Sequence, residues 1–249
     1  EIKIKNPDIS INNKFIKGDN NNFSGSSDIS FLDNNLIFNY NYKDKKIDIV
    51  SPDSNKRQNF KIFSKVNLDP FHIQADLTIL NKKIDFFTDY LFRYLIVNSN
   101  DQYLGNFNGF LNINLENINN TVIKEGKVRL KFLNKKIELI DASFNLKKMG
   151  NLNSRLNYYE DEDSGKISVL LQNSLIITNY LEFAREFQLS SRKIKEIEKI
   201  NFDVEKLINE NEFFISNIEI EETKTKRRIN KKFKIKNIQV LRSILGEII

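Results

Sequence analysis

Alternation of apolar and polar residues at every second position is the feature that most constrains the fold of this chain. It recurs from about residue 28 to residue 220, and a period of two is that of a β-strand with one buried face. The intervening positions are mostly Lys, Asn, Asp, Gln, Thr and Ser. Each strand therefore has one apolar and one wet face, as antiparallel sheets permit, and the sequence predicts a mainly β fold.

Turn signals between the alternating segments predict consecutive hairpins. These turns are Asp33-Asn34-Asn35, Asn134-Lys135-Lys136, Asp163-Ser164-Gly165 and Gln172-Asn173-Ser174. Residues 192–208 fit a helix or strands, and the alternation that continues to Ile220 favours strands. We expect an elongated, curved antiparallel meander that forms a groove.

Two or three short amphipathic helices interrupt the strands. One is predicted over 82–96, where Ile84, Phe87, Leu91 and Leu95 recur at helical spacing, and we expect it to pack against or cap the apolar face. A second opens with the capping-box spacing of Asn179 and Glu182; its apolar residues are Leu181, Ala184 and Phe187. A third begins near Asn237, with an apolar stripe of Ile238, Leu241, Ile244, Leu245 and Ile248. We expect this last helix to close an apolar groove.

The organisation along the chain is that of one elongated β-rich fragment, 1–249. Because the first residue is Glu1 rather than Met, we expect it to belong to a larger protein. Residues 1–59 are N-terminal strands, 60–223 the main groove, and 224–249 a basic segment with the C-terminal helix.

Catalytic chemistry has little support in the sequence. The chain has no Cys and one His, which excludes thiolate metal sites, a cysteine nucleophile and any site with two imidazoles. Dinucleotide, P-loop and hydrolase-elbow motifs are absent. His72 falls in a strand register with Gln74, Asp76 and Thr78, as a surface residue would. We expect no enzyme activity, no cofactor and no metal.

The positive charge is concentrated near the C-terminus. The net charge of the chain is +6. Eight cations lie between residues 224 and 236, with no acidic residue among them. They are Lys224, Lys226, Arg227, Arg228, Lys231, Lys232, Lys234 and Lys236. The simplest interpretation is a solvated edge strand that lysines protect from aggregation; contact with anionic headgroups or an acidic partner is the alternative. Phe233 is the single aromatic there, so nucleic acid is not an expected partner.

A long sheet with one apolar face must cover it with a second layer, close into a barrel, or curve into a trough that holds an apolar ligand. The candidate groove residues are Ile73, Ala75, Leu77, Ile79, Leu111, Ile113, Leu115, Val128, Leu130, Phe132, Ile137, Leu139, Phe144, Leu146, Ile167, Val169 and Leu171.

Residues 60–249 resemble the AsmA-like family, including its TamB and YhdP relatives. The resemblance is carried by Asn67-Leu68-Asp69-Pro70-Phe71-His72, the aromatic segment Asp85 to Leu95, Gly105-Asn106-Phe107-Asn108-Gly109, Gly126-Lys127-Val128-Arg129-Leu130-Lys131-Phe132, Phe183-Ala184-Arg185-Glu186-Phe187-Gln188-Leu189 and Ile215-Ser216-Asn217-Ile218. It implies a protein anchored in the inner membrane outside this fragment, with a periplasmic β-groove that carries phospholipid acyl chains towards the outer membrane. The resemblance names no outer-membrane partner. The competing hypothesis is a structural or interaction module with a closed core and a basic docking segment.

Overall fold

The structure is a computed structural model that confirms the predicted fold class: it is mainly β, with mostly antiparallel strands and two helices in the part described. The described residues are 2–5, 8–19, 22–31, 34–52, 59–81, 108–119, 122–133, 136–160, 167–189, 197–207, 213–235 and 238–249. The chain divides into two compact units. Unit 1 comprises Glu1–Asn120 and Lys127–Glu138, and unit 2 comprises Thr121–Gly126 and Leu139–Ile249.

Unit 1 consists of strands that neighbour one another in chain order. They are β1 (Ile2–Lys5), β2 (Asp8–Lys17), β3 (Phe23–Phe31), β4 (Asn34–Lys43), β5 (Lys46–Val50), β6 (Phe60–Leu68), β7 (Phe71–Leu80), β8 (Gly109–Glu116) and most of β9 (Glu125–Leu133). From β1 to β7 every neighbouring pair is antiparallel. The predicted hairpin meander is therefore observed over these seven strands.

The pairing of β7 with β8 differs from that prediction because it is parallel, with Ile73 opposite Gly109 and Ile79 opposite Leu115. A parallel neighbour cannot be reached by a hairpin and needs a connection of a dozen residues or more. Gly109 begins β8 at φ +152°, where a Cβ atom would lie 1.9 Å from the carbonyl oxygen of Ile73. Only glycine fits this close approach of two backbones.

The register places the alternating apolar side chains of unit 1 on one face. Residues directly opposite one another point to the same side of a sheet, and one such row runs through Phe23, Tyr42, Ile47, Val66 and Ile73. We call this side the apolar face. Its apolar members with described side chains are Ile11, Phe15, Phe23, Ile29, Leu36, Phe38, Tyr40, Tyr42, Ile47, Ile49, Phe60, Ile62, Val66, Leu68, Phe71, Ile73, Ala75, Leu77, Ile79, Leu111, Ile113 and Leu115. The other side, the polar face, includes Asn41, Asp48, Lys65, Gln74 and Asn112.

Unit 2 contains the remaining strands and both described helices. They are β10 (Lys136–Asn145, in this unit from Leu139 onward), β11 (Gly150–Glu160), β12 (Ile167–Ile177), α1 (Tyr180–Glu186), β13 (Ile197–Leu207), β14 (Phe213–Glu222), β15 (Lys226–Ile229), β16 (Phe233–Ile235) and α2 (Ile238–Ile248). The strands β10 to β14 pair antiparallel in chain order. Strand β16 pairs with the N-terminal half of β14, and β15 pairs with its C-terminal half. The strands predicted for 192–208 and up to Ile220 are thus confirmed within 197–207 and 213–222.

The predicted turn at Gln172-Asn173-Ser174 is wrong, because these residues lie inside the eleven-residue strand β12. Asn173 is opposite Ser154 on one side and Phe202 on the other. Its buried side chain accepts a hydrogen bond of 2.7 Å from the Ser154 hydroxyl and donates one of 2.8 Å to the carbonyl of Leu171. These partners satisfy a buried amide that would otherwise favour a turn.

A change of phase in β10 divides its apolar residues into two sets. Leu139 and Ala142 are buried, whereas the two residues between them, Ile140 and Asp141, are exposed. Strict alternation would bury every second residue. The sequence carries this shift, since Leu139 stands at an odd position and Phe144 at an even one.

Helix α1 begins as predicted, with the Asn179 side chain accepting a hydrogen bond of 3.2 Å from the backbone N–H of Glu182. Of the apolar residues expected in this helix, Ala184 is buried and Phe187 packs against the core, whereas Leu181 is 62% exposed. Phe183, which was not among them, is buried at 1% exposure. A helix of two turns has room for one contact stripe only. The helix predicted over 82–96 lies outside the described residues.

The core of unit 2 lies between its sheet and the two helices. It consists of Leu146, Met149, Leu175, Ile177, Phe183, Ile197, Ile200, Ile215, Ile218, Ile220, Phe233, Ile244, Leu245 and Ile248. From the predicted C-terminal stripe, Ile244, Leu245 and Ile248 are buried and Leu241 packs against them. The C-terminal helix therefore covers an apolar sheet face of its own unit.

Candidate functional site

The apolar face of unit 1 changes in exposure from one strand to the next. In β6 to β8 it is buried at Phe60, Val66, Ala75, Ile79, Ile113 and Leu115, half-buried at Ile62, Phe71, Ile73, Leu77 and Leu111, and exposed at Leu68. In β3 to β5 its apolar side chains are only half-buried, namely Phe23, Ile29, Leu36, Phe38, Tyr40, Tyr42, Ile47 and Ile49. Every described apolar side chain of this face in β2 to β5 is half-buried or exposed, and we call this the accessible part of the apolar face.

Aromatic side chains dominate this accessible part. The rings of Phe15 and Phe23 stack with their centroids 5.2 Å apart, and Phe23 stacks on Tyr42 at 5.5 Å. These three residues come from three neighbouring strands, so the stack runs across the sheet. Aromatic pairs of this geometry prefer offset stacking and provide a large apolar surface.

The predicted groove residues are divided between the two units. In unit 1, Ala75, Ile79, Ile113, Leu115, Val128, Leu130 and Phe132 are buried, and Ile73, Leu77 and Leu111 are half-buried. In unit 2, Leu139 and Leu146 are buried, and Phe144 and Leu171 are half-buried. The side chains of Ile137, Ile167 and Val169 lie outside the description.

The accessible residues of β2 to β5 were not among the predicted groove residues, which began at Ile73. Their signal was present in the sequence, because Leu36, Phe38 and Tyr40 alternate as clearly as any later segment. The alternation does not indicate whether another part of the protein packs against an apolar face. It cannot distinguish a face that the protein buries from one that it leaves accessible.

An apolar cavity of about 90 Å³ lies in unit 2 between its helices and strands β12 to β14. Its lining consists entirely of apolar residues: Leu175, Phe183, Phe187, Ile200, Phe202, Ile215, Ile218, Leu241, Ile244, Leu245 and Ile248. The two described helices of this unit occupy the rest of this sheet face.

The first part of the basic segment forms an ion-pair ladder with β14. Lys226 lies 3.0 Å from Glu219 and 3.2 Å from Glu221, and Arg227 lies 3.2 Å from Glu222. Hydrogen bonds from Lys226, then from Asn201, lower the pKa of Glu219, and the hydrogen bonds to Glu219 and Glu221 raise the pKa of Lys226. These cations therefore neutralise carboxylates of the same sheet.

The second part is also paired within unit 2. Lys231 lies 2.7 Å from Glu247 of α2, and Lys232 binds Glu205 of β13. Arg228 is opposite Glu219 in the sheet and Lys234 is opposite Phe214. Lys224 is exposed, and Lys236 lies outside the described residues. Intramolecular pairing leaves less positive charge for a headgroup or an acidic partner than the sequence suggests.

Tyr180 lies where α1 approaches this ladder. Burial, and secondly the negative charge of Glu222, raise the pKa of Tyr180. Its ring packs 6.2 Å from that of Phe183, centroid to centroid. Such a shift keeps the phenol neutral, which suits a core residue at the edge of an apolar cluster.

His72 lies on the polar face, as predicted, in the same row as Asn67 and with its ring 6.3 Å from that of Phe110. Among the residues that the structure describes, no group of three His, Asp or Glu side chains could hold a metal ion. The described helices are also too short or too polar to cross a bilayer.

Comparisons of the chain with protein-family models, curated proteins and solved structures each gave no match.

Proposed function

We propose that unit 1 binds phospholipid acyl chains on the part of its apolar face formed by β2 to β5. The observation that carries this proposal is the row-by-row alignment of half-buried aromatic and aliphatic side chains across four neighbouring strands. The resemblance to the AsmA-like family, which covers residues 60–249 and not β2 to β5, suggests lipid as the ligand of this sheet. In that setting the chain is part of a protein anchored in the inner membrane that carries phospholipid through the periplasm to the outer membrane.

The affinity of such a face comes from burial of methylene groups. Each CH₂ removed from water contributes about 0.8 kcal/mol, so a chain that covers Phe23, Tyr42 and Ile47 binds without a specific headgroup contact. The polar face opposite carries Asn41, Asp48 and Lys65, which remain in water. This division suits a protein that shelters one side of a lipid chain while the other side of its sheet stays hydrated.

Neighbouring residues on β5 provide the test. Ile49 lies on the apolar face and is half-buried, whereas Val50 points to the polar face and is 46% exposed. Ile49→Asp places a charge among the acyl chains, and Val50→Asp places the same charge in water. Mass spectrometry of phospholipid that co-purifies with the protein should find it with the wild type and Val50→Asp and not with Ile49→Asp.

Circular dichroism establishes that both variants fold. Wild-type amounts of phospholipid on a folded Ile49→Asp protein would contradict the proposal. Substitutions at Leu130 or Leu139 are less informative, because both side chains are buried, at 5% and 4% exposure, and a charge there would disrupt folding.

A second function, that of a closed-core structural module, is favoured for unit 2 by one observation. Helix α2 buries Ile244, Leu245 and Ile248 against the sheet of that unit. We propose that unit 2 has a structural role and that its basic segment stabilises β14 to β16. Its test is the effect of core substitutions in α2, given in the Discussion.

A further inference from the structure

We propose that one end of the unit 1 sheet docks on an anionic lipid bilayer and inserts Phe15 and Ile16 into it. This end, the hairpin end, is formed by the turns that follow β2, β4 and β6. The inference rests on the proposed lipid binding in one respect: it names the surface from which a lipid would reach the apolar face.

The three turns lie at the same end because the hairpins alternate in direction. Lys17, Phe23, Tyr42 and Ile47 form one row beside the first two turns. The second and third turns are joined directly: the backbone N–H of Leu68 donates a hydrogen bond of 2.8 Å to the carbonyl of Lys45. The Lys45 ammonium group also lies 2.6 Å from the Asp69 carboxylate. The hairpin end is therefore a continuous surface.

Phe15 and Ile16 are consecutive residues on opposite faces of β2, and both are strongly exposed, at 60% and 65%. A protein core or a carried lipid covers only one face of a sheet. Neither of them would cover both Phe15 and Ile16, because these side chains lie on opposite faces. A bilayer would cover both side chains, because it surrounds an inserted strand end on both sides. Leu68, at the end of β6, is a third exposed apolar residue at this end, at 41%.

Lysines surround these apolar side chains. Within four residues of the three turns, the described cations are Lys14, Lys17, Lys43, Lys45, Lys46 and Lys65, and the described acidic residues are Asp19, Asp44, Asp48 and Asp69. All of these side chains are exposed, and cations are in excess. Long lysine side chains reach the headgroups while their stems lie along apolar surface, and clustered cations favour anionic leaflets.

The distance of Phe15 from the end of β2 fits insertion into the interfacial region of a bilayer rather than a membrane-spanning strand. Phe15 lies two residues before the end of β2, or about 7 Å at ~3.4 Å per residue. Interfacial segments bury their apolar side chains about 5–10 Å into the headgroup region. From Phe15 the aromatic stack continues through Phe23 to Tyr42, which connects the inserted end with the apolar face.

Ile16 allows docking to be tested separately from lipid carriage, because it lies on the polar face, away from the proposed acyl-chain site. Its matched control is Val50, another exposed β-branched residue on the polar face, at the far end of β5. The measurement is flotation of the full chain with vesicles of phosphatidylcholine, with or without phosphatidylglycerol. We expect the wild type and Val50→Ser to float only with anionic vesicles, and Ile16→Ser to bind them about tenfold more weakly.

A double variant, Lys14→Gln with Lys17→Gln, should weaken binding at low salt and respond less to added salt. Equal flotation of Ile16→Ser and the wild type would overturn the proposal, as would absence of wild-type flotation. Loss of flotation in the lysine variant with none in Ile16→Ser would also overturn the proposed insertion, and would indicate purely electrostatic binding to the headgroups. If the wild-type protein does not float with vesicles but still co-purifies with phospholipid, docking is refuted and the lipid-binding face is not. If the wild-type protein floats with vesicles but carries no co-purified phospholipid, the lipid-binding face is refuted and docking is not.

Discussion

Tyr40 lies directly over Gly25, the residue opposite it on β3, and reaches past it to β2. Its hydroxyl donates a hydrogen bond of 3.1 Å to the Asn13 side chain and lies 3.3 Å from the carbonyl oxygen of Lys14. A Cβ atom at Gly25 would lie 2.4 Å from that hydroxyl and 2.2 Å from the same carbonyl oxygen. One side chain thus connects three strands of the accessible apolar face, and the missing side chain of glycine permits it.

Gly25→Ala should therefore loosen β2 to β4. Overpacking of this kind costs about 1–3 kcal/mol, and here the clash is with backbone as well as with the Tyr40 ring. Hydrogen-exchange mass spectrometry should show faster exchange in peptides that cover residues 10–42 and unchanged exchange in unit 2.

The control for this substitution is Gly246→Ala in α2. No atom lies within 4 Å of the added methyl group there, and Ala is favoured over Gly in a helix by about 0.5–1 kcal/mol. Exchange in α2 should become slower. Unchanged protection of β2 to β4 in Gly25→Ala would contradict the close packing of Tyr40 on Gly25.

The buried pair Ser154 and Asn173 should be energetically coupled. Asn173→Ala removes the acceptor of the Ser154 hydroxyl, and a buried polar group without a partner costs about 1–3 kcal/mol. The double variant with Ser154→Ala should lose less stability than the sum of the single variants, with a coupling of about 0.5–3 kcal/mol. Urea unfolding followed by circular dichroism measures all three; additive losses would contradict the coupling.

The β14–β15 ladder should be most stable at intermediate pH. The pKa of Glu219 is lowered, so its contribution is complete above its unfolded pKa of about 4.3 and is lost as the pH falls through its folded pKa. The pKa of Lys226 is raised, so its contribution is complete below about pH 10.4 and is lost above its folded pKa. Amide exchange in 218–229, compared at matched intrinsic rates, should therefore be faster at both extremes.

Glu219→Gln is the control for this pH dependence. It keeps an acceptor for Lys226 and Asn201 but removes the titrating carboxyl group. The acid-side loss of protection should shrink, while the region around Ser154 and Asn173 behaves as in the wild type. An unchanged acid response would show that other carboxylates are responsible.

Removing core volume from α2 should destabilise unit 2. Ile244 is 6% exposed and lies in the core, whereas its neighbour Ser243 is exposed. Ile244→Ala should cost about 2–5 kcal/mol, and Ser243→Ala should change stability by less than about 0.5 kcal/mol. Urea unfolding provides the comparison, and a negligible effect of Ile244→Ala would contradict the structural role proposed for unit 2.

Sequence patterns predicted the secondary structure well where it depends on interactions between residues close in sequence. The alternating period predicted mainly β structure from about residue 28 to residue 220, and the Asn179 cap located α1. The turn at Gln172-Asn173-Ser174 was wrong because the hydrogen bonds that keep Asn173 in a strand come from Ser154 and from the backbone at Leu171, which no local pattern reveals.

Non-local features were harder to predict. The parallel pairing of β7 with β8 depends on which strand the chain returns to, although the long connection between Leu80 and Gly109 was a usable signal. Neither alternation nor turn chemistry indicates how a face is covered. The predicted groove therefore included buried residues such as Ile113 and Leu130, and it omitted Phe23 and Tyr42.

Photo-crosslinking at two adjacent positions of β4 shows whether phospholipid acyl chains lie on the apolar face. Tyr42 is half-buried on the apolar face and Asn41 is exposed on the polar face. Each is replaced in turn by p-benzoylphenylalanine, and the irradiated protein is analysed by intact mass spectrometry for a phospholipid adduct. We expect an adduct at position 42 and none at position 41; equal adducts at both positions, or none at 42, would contradict acyl-chain binding on the apolar face.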